Sequence, residues 1–232
     1  MTKKNKKQTA EESFENVENA LSTTERFIED NQKSLSIIVI AIVATIGLYM
    51  GYHKYVAAPL EKKAQNQAFM AESFFEKDSF NLALNGKDDY PGFLQIIEEY
   101  GSSKTGNLAQ YYAGICYLRM GEYQNAIDYL SKFDSDDKMV APIAVGAIGD
   151  AYSQLNKLED AVSYYVKAAN YSDNEFTAPI YLKKAGLVYL ELNENKKALE
   201  VFNTIKENYP SSTEGRQIEK YITKASILAD KK

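Results

Sequence analysis

GICYLRMGEYQNAIDYLSKF, residues 114–133, returns twice further along the chain, as GDAYSQLNKLEDAVSYYVKA (149–168) and GLVYLELNENKKALEVFNTI (186–205). The alignment puts Gly114, Gly149 and Gly186 in register, with Tyr117, Tyr152 and Tyr189 three residues later and Ala126, Ala161 and Ala198 twelve residues later. Gly-to-Gly steps are 35 and 37 residues, and the Ala-to-Ala steps are the same. Self-similarity at such a period means stacked supersecondary units, each too small to bury its own apolar face.

Two antiparallel helices approach closely only where one presents little or no side chain, as Gly114 and Ala126 do. Large residues such as Tyr117, Leu130 and Phe133 then fill the wedge beside that approach. Gly121, Asn156 and Asn193 stand where each first helix has to stop. Gly and Asn tolerate the left-handed conformation that ends a helix. Pro210 closes the third copy. Together these residues resemble the tetratricopeptide repeat (TPR) superfamily over about residues 105–213, although the chain contains no Trp where the family places one. The resemblance implies an all-α, TPR-like helical solenoid with repeats near 105–138, 140–174 and 177–213.

A degenerate fourth unit precedes these. Glu98-Glu99-Tyr100-Gly101-Ser102-Ser103-Lys104-Thr105-Gly106 echoes Glu207-Asn208-Tyr209-Pro210-Ser211-Ser212-Thr213-Glu214-Gly215 at an offset of 109. Both stretches read as helix–loop–helix corners. Phe93 to Tyr100 is then a second helix, and its partner runs from about Pro59 to Phe75, with Asn85-Gly86 and Pro91 interrupting the connection. From Gly215 to Leu228, apolar residues at Ile218, Tyr221, Ile222, Ala225 and Leu228 predict an amphipathic helix, spanning about 214–230, that caps the open end. Eight or nine helices are expected after Pro59, and strand signals are weak.

Leu35 to Tyr52, LSIIVIAIVATIGLYMGY, is an 18-residue run without a charge. As a helix it reaches about 27 Å, which suits the hydrocarbon core of a bilayer. Tyr49, Tyr52 and Tyr55 gather at one end as an interfacial belt does. Lys33 and Lys54 bound the run. A cleaved signal peptide is the alternative, but the run is long for one and follows a 34-residue polar tail. A buried core helix is the other alternative, and no segment is suited to cover it on every side. The expected layout is a tail over 1–34, a transmembrane helix over 35–54 and an extracytoplasmic domain over 55–232. Lys3, Lys4, Lys6, Lys7, Arg26 and Lys33 precede the run, against Lys54, Lys62 and Lys63 after it, which favours a cytoplasmic N-terminus. In a bacterium the domain would then be periplasmic and the protein a single-pass resident of the inner membrane.

Phe14, Val17, Leu21, Thr24 and Ile28 recur at helical spacing, with Glu11, Glu15, Glu18 and Glu25 off that line. This reads either as a short amphipathic helix that meets a partner helix or as a marginal helix with no specific role. Its acidic polar face disfavours anionic lipid. The whole chain carries a net charge of −5, and after Pro59 there are 20 basic against 25 acidic residues. No basic patch exists to neutralise phosphates, which excludes nucleic acid as a partner class.

No chemistry gathers. The single histidine, His53, borders the apolar run, and the single cysteine, Cys116, has no histidine in its domain to activate it. Asp134, Asp136 and Asp137 lack the Gly and terminal Glu of a calcium loop and read as a solvated inter-repeat turn. Asp88-Asp89 reads the same way. No phosphate loop or zinc spacing appears. The chain is expected to be no enzyme and to use no cofactor or metal.

Function therefore falls to a surface. The TPR resemblance implies a concave groove lined by the first helix of each pair. Carried onto this sequence, its binding positions are Leu108, Tyr111, Ile115, Leu118 and Arg119; Ile143, Gly146, Asp150, Ser153 and Gln154; and Ile180, Lys183, Leu187, Leu190 and Glu191. That mixture suits extended or unfolded polypeptide. Readers of chaperone tails carry Lys and Asn where this chain has Tyr111 and Ile115, which argues against that role.

The layout of short tail, single anchor and TPR-like domain, with Phe74-Phe75-Glu76-Lys77-Asp78-Ser79-Phe80, Ala83-Leu84-Asn85-Gly86 and Gly92-Phe93, resembles the ancillary Sec-translocon subunits of the YfgM type, in the form found in Bacteroidota. The resemblance implies a place beside the SecYEG channel with a PpiD-like membrane chaperone, helping to handle translocated proteins. The competing reading is a structural scaffold in another envelope assembly for secretion, gliding or division. An outer-membrane assembly lipoprotein is disfavoured because no cysteine follows the apolar run closely.

Overall fold

The computed structural model describes residues 25–231. The patterned tail residues up to Thr24 lie outside the described residues. The chain divides between Pro59 and Leu60 into two units.

In the first unit, α1 runs Gln32–Tyr52 and buries none of its residues. Ile37, Ile40, Val43, Leu48 and Tyr49 are each more than half exposed. Leaving such a surface in water is costly, because every buried methylene is worth about 0.8 kcal/mol. The helix is long and apolar enough to cross a membrane. Its regular turns give way to a π-helical turn at His53–Ala57, where Lys54 sits over the Tyr55 ring at 5.6 Å.

The second unit is an all-α solenoid of TPR-like hairpins. Helix α2 (Ala58–Glu76) buries Ala64, Ala68 and Ala71, an alanine stripe that lets later helices approach. Short α3 (Phe80–Asn85) follows, and then a two-stranded ladder pairs β1 (Gly86–Lys87) with β2 (Tyr90–Pro91). Gly86 takes φ +83°, and a methyl on it would lie 2.4 Å from the Tyr90 carbonyl, so only glycine fits this turn. Helix α4 (Phe93–Tyr100) closes the degenerate unit.

Three hairpins follow: α5 (Lys104–Met120) with α6 (Tyr123–Leu130), α7 (Val140–Gln154) with α8 (Leu158–Tyr171), and α9 (Ala178–Glu191) with α10 (Asn195–Asn208). A 3-10 turn at Gly215–Gln217 leads into α11 (Glu219–Ala229). The second unit thus has ten α-helices among the described residues rather than eight or nine. The extra one, α3, is six residues long and carries too little periodic sequence to be read in advance.

The repeated glycines do one job three times. A methyl on Gly114 would meet Leu130 at 2.5 Å, on Gly149 the Tyr165 ring at 2.8 Å, and on Gly186 the Phe202 ring at 2.3 Å. Leu130, Tyr165 and Phe202 stand in equivalent register and seal each hairpin from within. Ala126, Ala161 and Ala198 are fully buried beside them. Each first helix ends in a left-handed residue: Gly121 at φ 82°, Asn156 at 57° and Asn193 at 59°.

Side-chain oxygens also fold the loops that lead into the helices. Ser103 Oγ accepts from Gly106 N–H at 2.9 Å, Asp137 Oδ1 from Val140 N–H at 2.8 Å, Asn174 Oδ1 from Thr177 N–H at 2.7 Å and Ser212 Oγ from Gly215 N–H at 2.9 Å. Ser103 is the N-cap of α5, and a cap of this kind is worth about 1 kcal/mol. The echoing segments form matching corners: Ser103 donates to the Tyr100 carbonyl at 2.7 Å and Ser212 to the Tyr209 carbonyl at 2.8 Å.

Candidate functional site: the groove across the first two hairpins

A cavity of about 720 Å³ opens where α5, α7 and α9 lie side by side. Tyr111, Ile115 and Leu118 share one face of α5 at helical spacing, with Arg119 beside them. Ile143, Ala147, Asp150 and Gln154 do the same on α7. Tyr123 from α6, Phe75 from α2, Tyr165 from α8 and Tyr181 and Lys184 from α9 complete the lining.

Glycines set its floor. A methyl on Gly146 would fall 1.9 Å from the Tyr181 ring, so that ring takes the space of the missing side chain on α7. Tyr165 enters against Gly149 in the same way, and the two rings stack with centroids 6.4 Å apart and an interplanar angle of 17°. Their neighbour Asp150 accepts from the Tyr165 hydroxyl at 2.7 Å and from Lys184 Nζ at 2.6 and 2.9 Å. Lys184 also sits over both rings, 5.5 Å from Tyr165 and 5.6 Å from Tyr181. Burial, the Asp150 hydrogen bond and the Asp150 charge push the Tyr165 phenol well above its ordinary value. Burial and the charge of Asp150 do the same to Tyr181. Both remain neutral at physiological pH, and the cluster is a neutralised brace between α7, α8 and α9.

Tyr111, Ile115, Leu118, Arg119, Ile143, Asp150, Ser153 and Gln154, eight of the fifteen positions expected to line a groove, meet in this cavity. Gly146 is present as the floor under Tyr181 rather than as a contact. Leu108 lies instead in a second cavity with Phe133 and the acidic turn Asp134–Asp137. Ile180 and Leu187 form an exposed stripe on α9, each 40 % exposed, and Glu191 is exposed at its end. Lys183 reaches the Tyr221 ring of α11 at 5.6 Å. In the third hairpin the cavity is met by Tyr181 and Lys184, one position further round α9. The sequence signal for that shift was Gly146, whose missing side chain makes room for an aromatic from the next hairpin. Phe75, Tyr123 and Tyr165 come from outside the first helices of the three clear repeats, where a register argument does not look.

The arrangement offers apolar walls, hydrogen-bond groups and, among the described residues, one cation without an ion pair, Arg119, which suits holding a polypeptide. The buried Cys116 thiol is pushed up to about 12 by burial, away from any nucleophilic role. Among the described residues no three His, Cys, Asp or Glu side chains are grouped to hold a metal ion. Asp137 is held below the ordinary carboxylate value by the Val140 and Met139 N–H groups it accepts from, so it is engaged in the turn that leads into α7.

Comparison with known proteins agrees with this geometry. The description "tetratricopeptide repeat" matches residues 108–136 and 184–212, and a second description of the same repeat matches 144–175. These spans cover most of each hairpin, α5–α6, α9–α10 and α7–α8. A TPR repeat-containing protein of Methanocaldococcus jannaschii is 28 % identical over 137 residues, which is 58 % of this chain and 24 % of that protein. The chain thus spans about a quarter of the length of that relative. TPR domains bind protein partners in general, and no catalytic family is indicated.

Proposed function

We propose that this chain is a membrane-anchored protein-binding subunit whose groove receives polypeptide at the mouth of a translocation channel. The observation that carries the reading is the cavity itself, in which Tyr111, Ile115, Leu118 and Ile143 face a common hollow in a repeat array. Helix α1, apolar and without a buried residue, supports an anchor. The basic excess before it, six residues against Lys54, Lys62 and Lys63 after it, supports a cytoplasmic N-terminus and a periplasmic solenoid. Tethering raises local concentration without new contacts, so weak affinity in the groove is enough for transient holding.

The finer assignment places the chain beside the SecYEG channel with a PpiD-like chaperone. It rests on the layout of tail, anchor and repeat domain and on the segments Phe74–Phe80 and Ala83–Gly86. Purification of the full chain in mild detergent, followed by identification of co-purifying membrane proteins, tests it. Recovery of translocon subunits is the expected result. Their consistent absence, with one constant set of other envelope proteins in their place, transfers the chain to the scaffold reading.

A further inference from the structure

The geometry points to the kind of polypeptide the groove selects: an internal segment with a carboxylate side chain beside an aromatic or large apolar one. The inference rests on the groove-binding reading above and adds its specificity. Three charged side chains line the cavity, Arg119, Asp150 and Lys184. Lys184 and Asp150 cancel each other through hydrogen bonds of 2.6 and 2.9 Å, and the Tyr165 hydroxyl further occupies Asp150. Arg119 is different. It is exposed, stands at the end of the Tyr111–Ile115–Leu118 face, and has no ion pair or side-chain hydrogen bond among the described residues.

The cavity therefore presents one net positive charge, while the domain that contains it has 20 basic and 25 acidic residues. Acidic segments are repelled from the general surface and attracted at this point. A guanidinium presents its donors as a planar fork that a carboxylate matches with two parallel hydrogen bonds. Next to it Tyr111 and Ile115 offer the wall on which the neighbouring aromatic of the segment packs. Recognition of an internal side chain needs no free chain end, in keeping with the absence of Lys and Asn at the positions of Tyr111 and Ile115.

The test uses the full chain in detergent micelles and short fluorescent peptides blocked at both ends. One probe carries an aspartate between two phenylalanines, and its twin carries asparagine there. Anisotropy titrations should show the aspartate probe binding about tenfold more tightly at low salt, the size expected of a charge-assisted hydrogen-bonded pair. The preference should shrink as salt rises. Arg119→Gln should erase it, Arg119→Lys should keep part of it, and Tyr111→Ala should weaken both probes alike. Equal binding of the two probes, or a preference that survives Arg119→Gln, overturns the inference and leaves the groove reading intact. Failure of both probes to bind, together with no crosslinks from groove positions, overturns both.

Discussion

Glycine means opposite things in the two units. In α1 a methyl added to Gly47 or Gly51 meets nothing within 4 Å. In the hairpins a methyl on Gly146, Gly149 or Gly186 lands 1.9 to 2.8 Å from an aromatic ring. Both regions are helical and rich in small residues, yet one turns all its side chains outward and the other closes on itself. In the solenoid the glycines are where the partner helix enters, and the energy of the fold sits in the rings that fill those gaps. In α1 no side chain is buried, and none of its glycines makes room for a neighbour.

Removing a ring should have the largest effect. Phe202 is fully buried, fills the gap at Gly186 and lies 5.6 Å from the Tyr221 ring of α11. Phe202→Ala should cost about 3–5 kcal/mol, measured as a lower urea midpoint for the solenoid. A cost under about 1 kcal/mol would mean that the last hairpin does not close on this side chain.

Filling a gap sharpens the contrast. Gly186→Ala should destabilise despite the better helix propensity of alanine, because overpacking costs about 1–3 kcal/mol and the propensity gain returns only about 1. For a domain of this size each kcal/mol lowers Tm by about 2–4 °C. Gly47→Ala in α1 should leave the melting of the solenoid unchanged. Equal effects at the two sites would erase the distinction drawn above.

A smaller effect concerns acid. Glu61 on α2 accepts from the Thr105 hydroxyl at 2.8 Å and from the Thr105 N–H at 3.2 Å, clamping the start of α5. Burial works to raise its carboxyl, but the hydrogen bonds outweigh it and the net shift is downward from 4.5. Its contribution is therefore fully present above that value and is lost as pH falls through the lowered folded value. Glu61→Gln should shallow the acid limb of the stability–pH curve below about pH 4.5. An unchanged limb would show that the clamp does not act through charge.

The hairpins were legible because their register is written in positions that accept very few residue types. Gly121, Asn156 and Asn193 announced left-handed stops and adopt them. Gly114, Gly149 and Gly186 announced close approach, and the structure supplies the side chain that uses each one. The Tyr100 and Tyr209 corners announced each other. What stayed hidden depends on neighbours distant in sequence. Periodicity places Ile180 and Lys183 on a helix face, yet the room left by Gly146 brings Tyr181 and Lys184 to the cavity. The turns held by Asp137 and Asn174 were masked by polar loop composition, where one aspartate or asparagine reads like the next. The ladder at Gly86–Pro91 is two residues per strand, below the length at which alternation carries a signal.

The account depends most on the hollow of the first two hairpins gripping protein. A photo-crosslinking amino acid at Ile143, on the cavity wall, and at Glu200, exposed on α10, compares the hollow with the outside in intact cells. Adducts with other polypeptides from position 143 and none from position 200 are the predicted result. Equal adducts from both positions, or adducts from 200 alone, would contradict it.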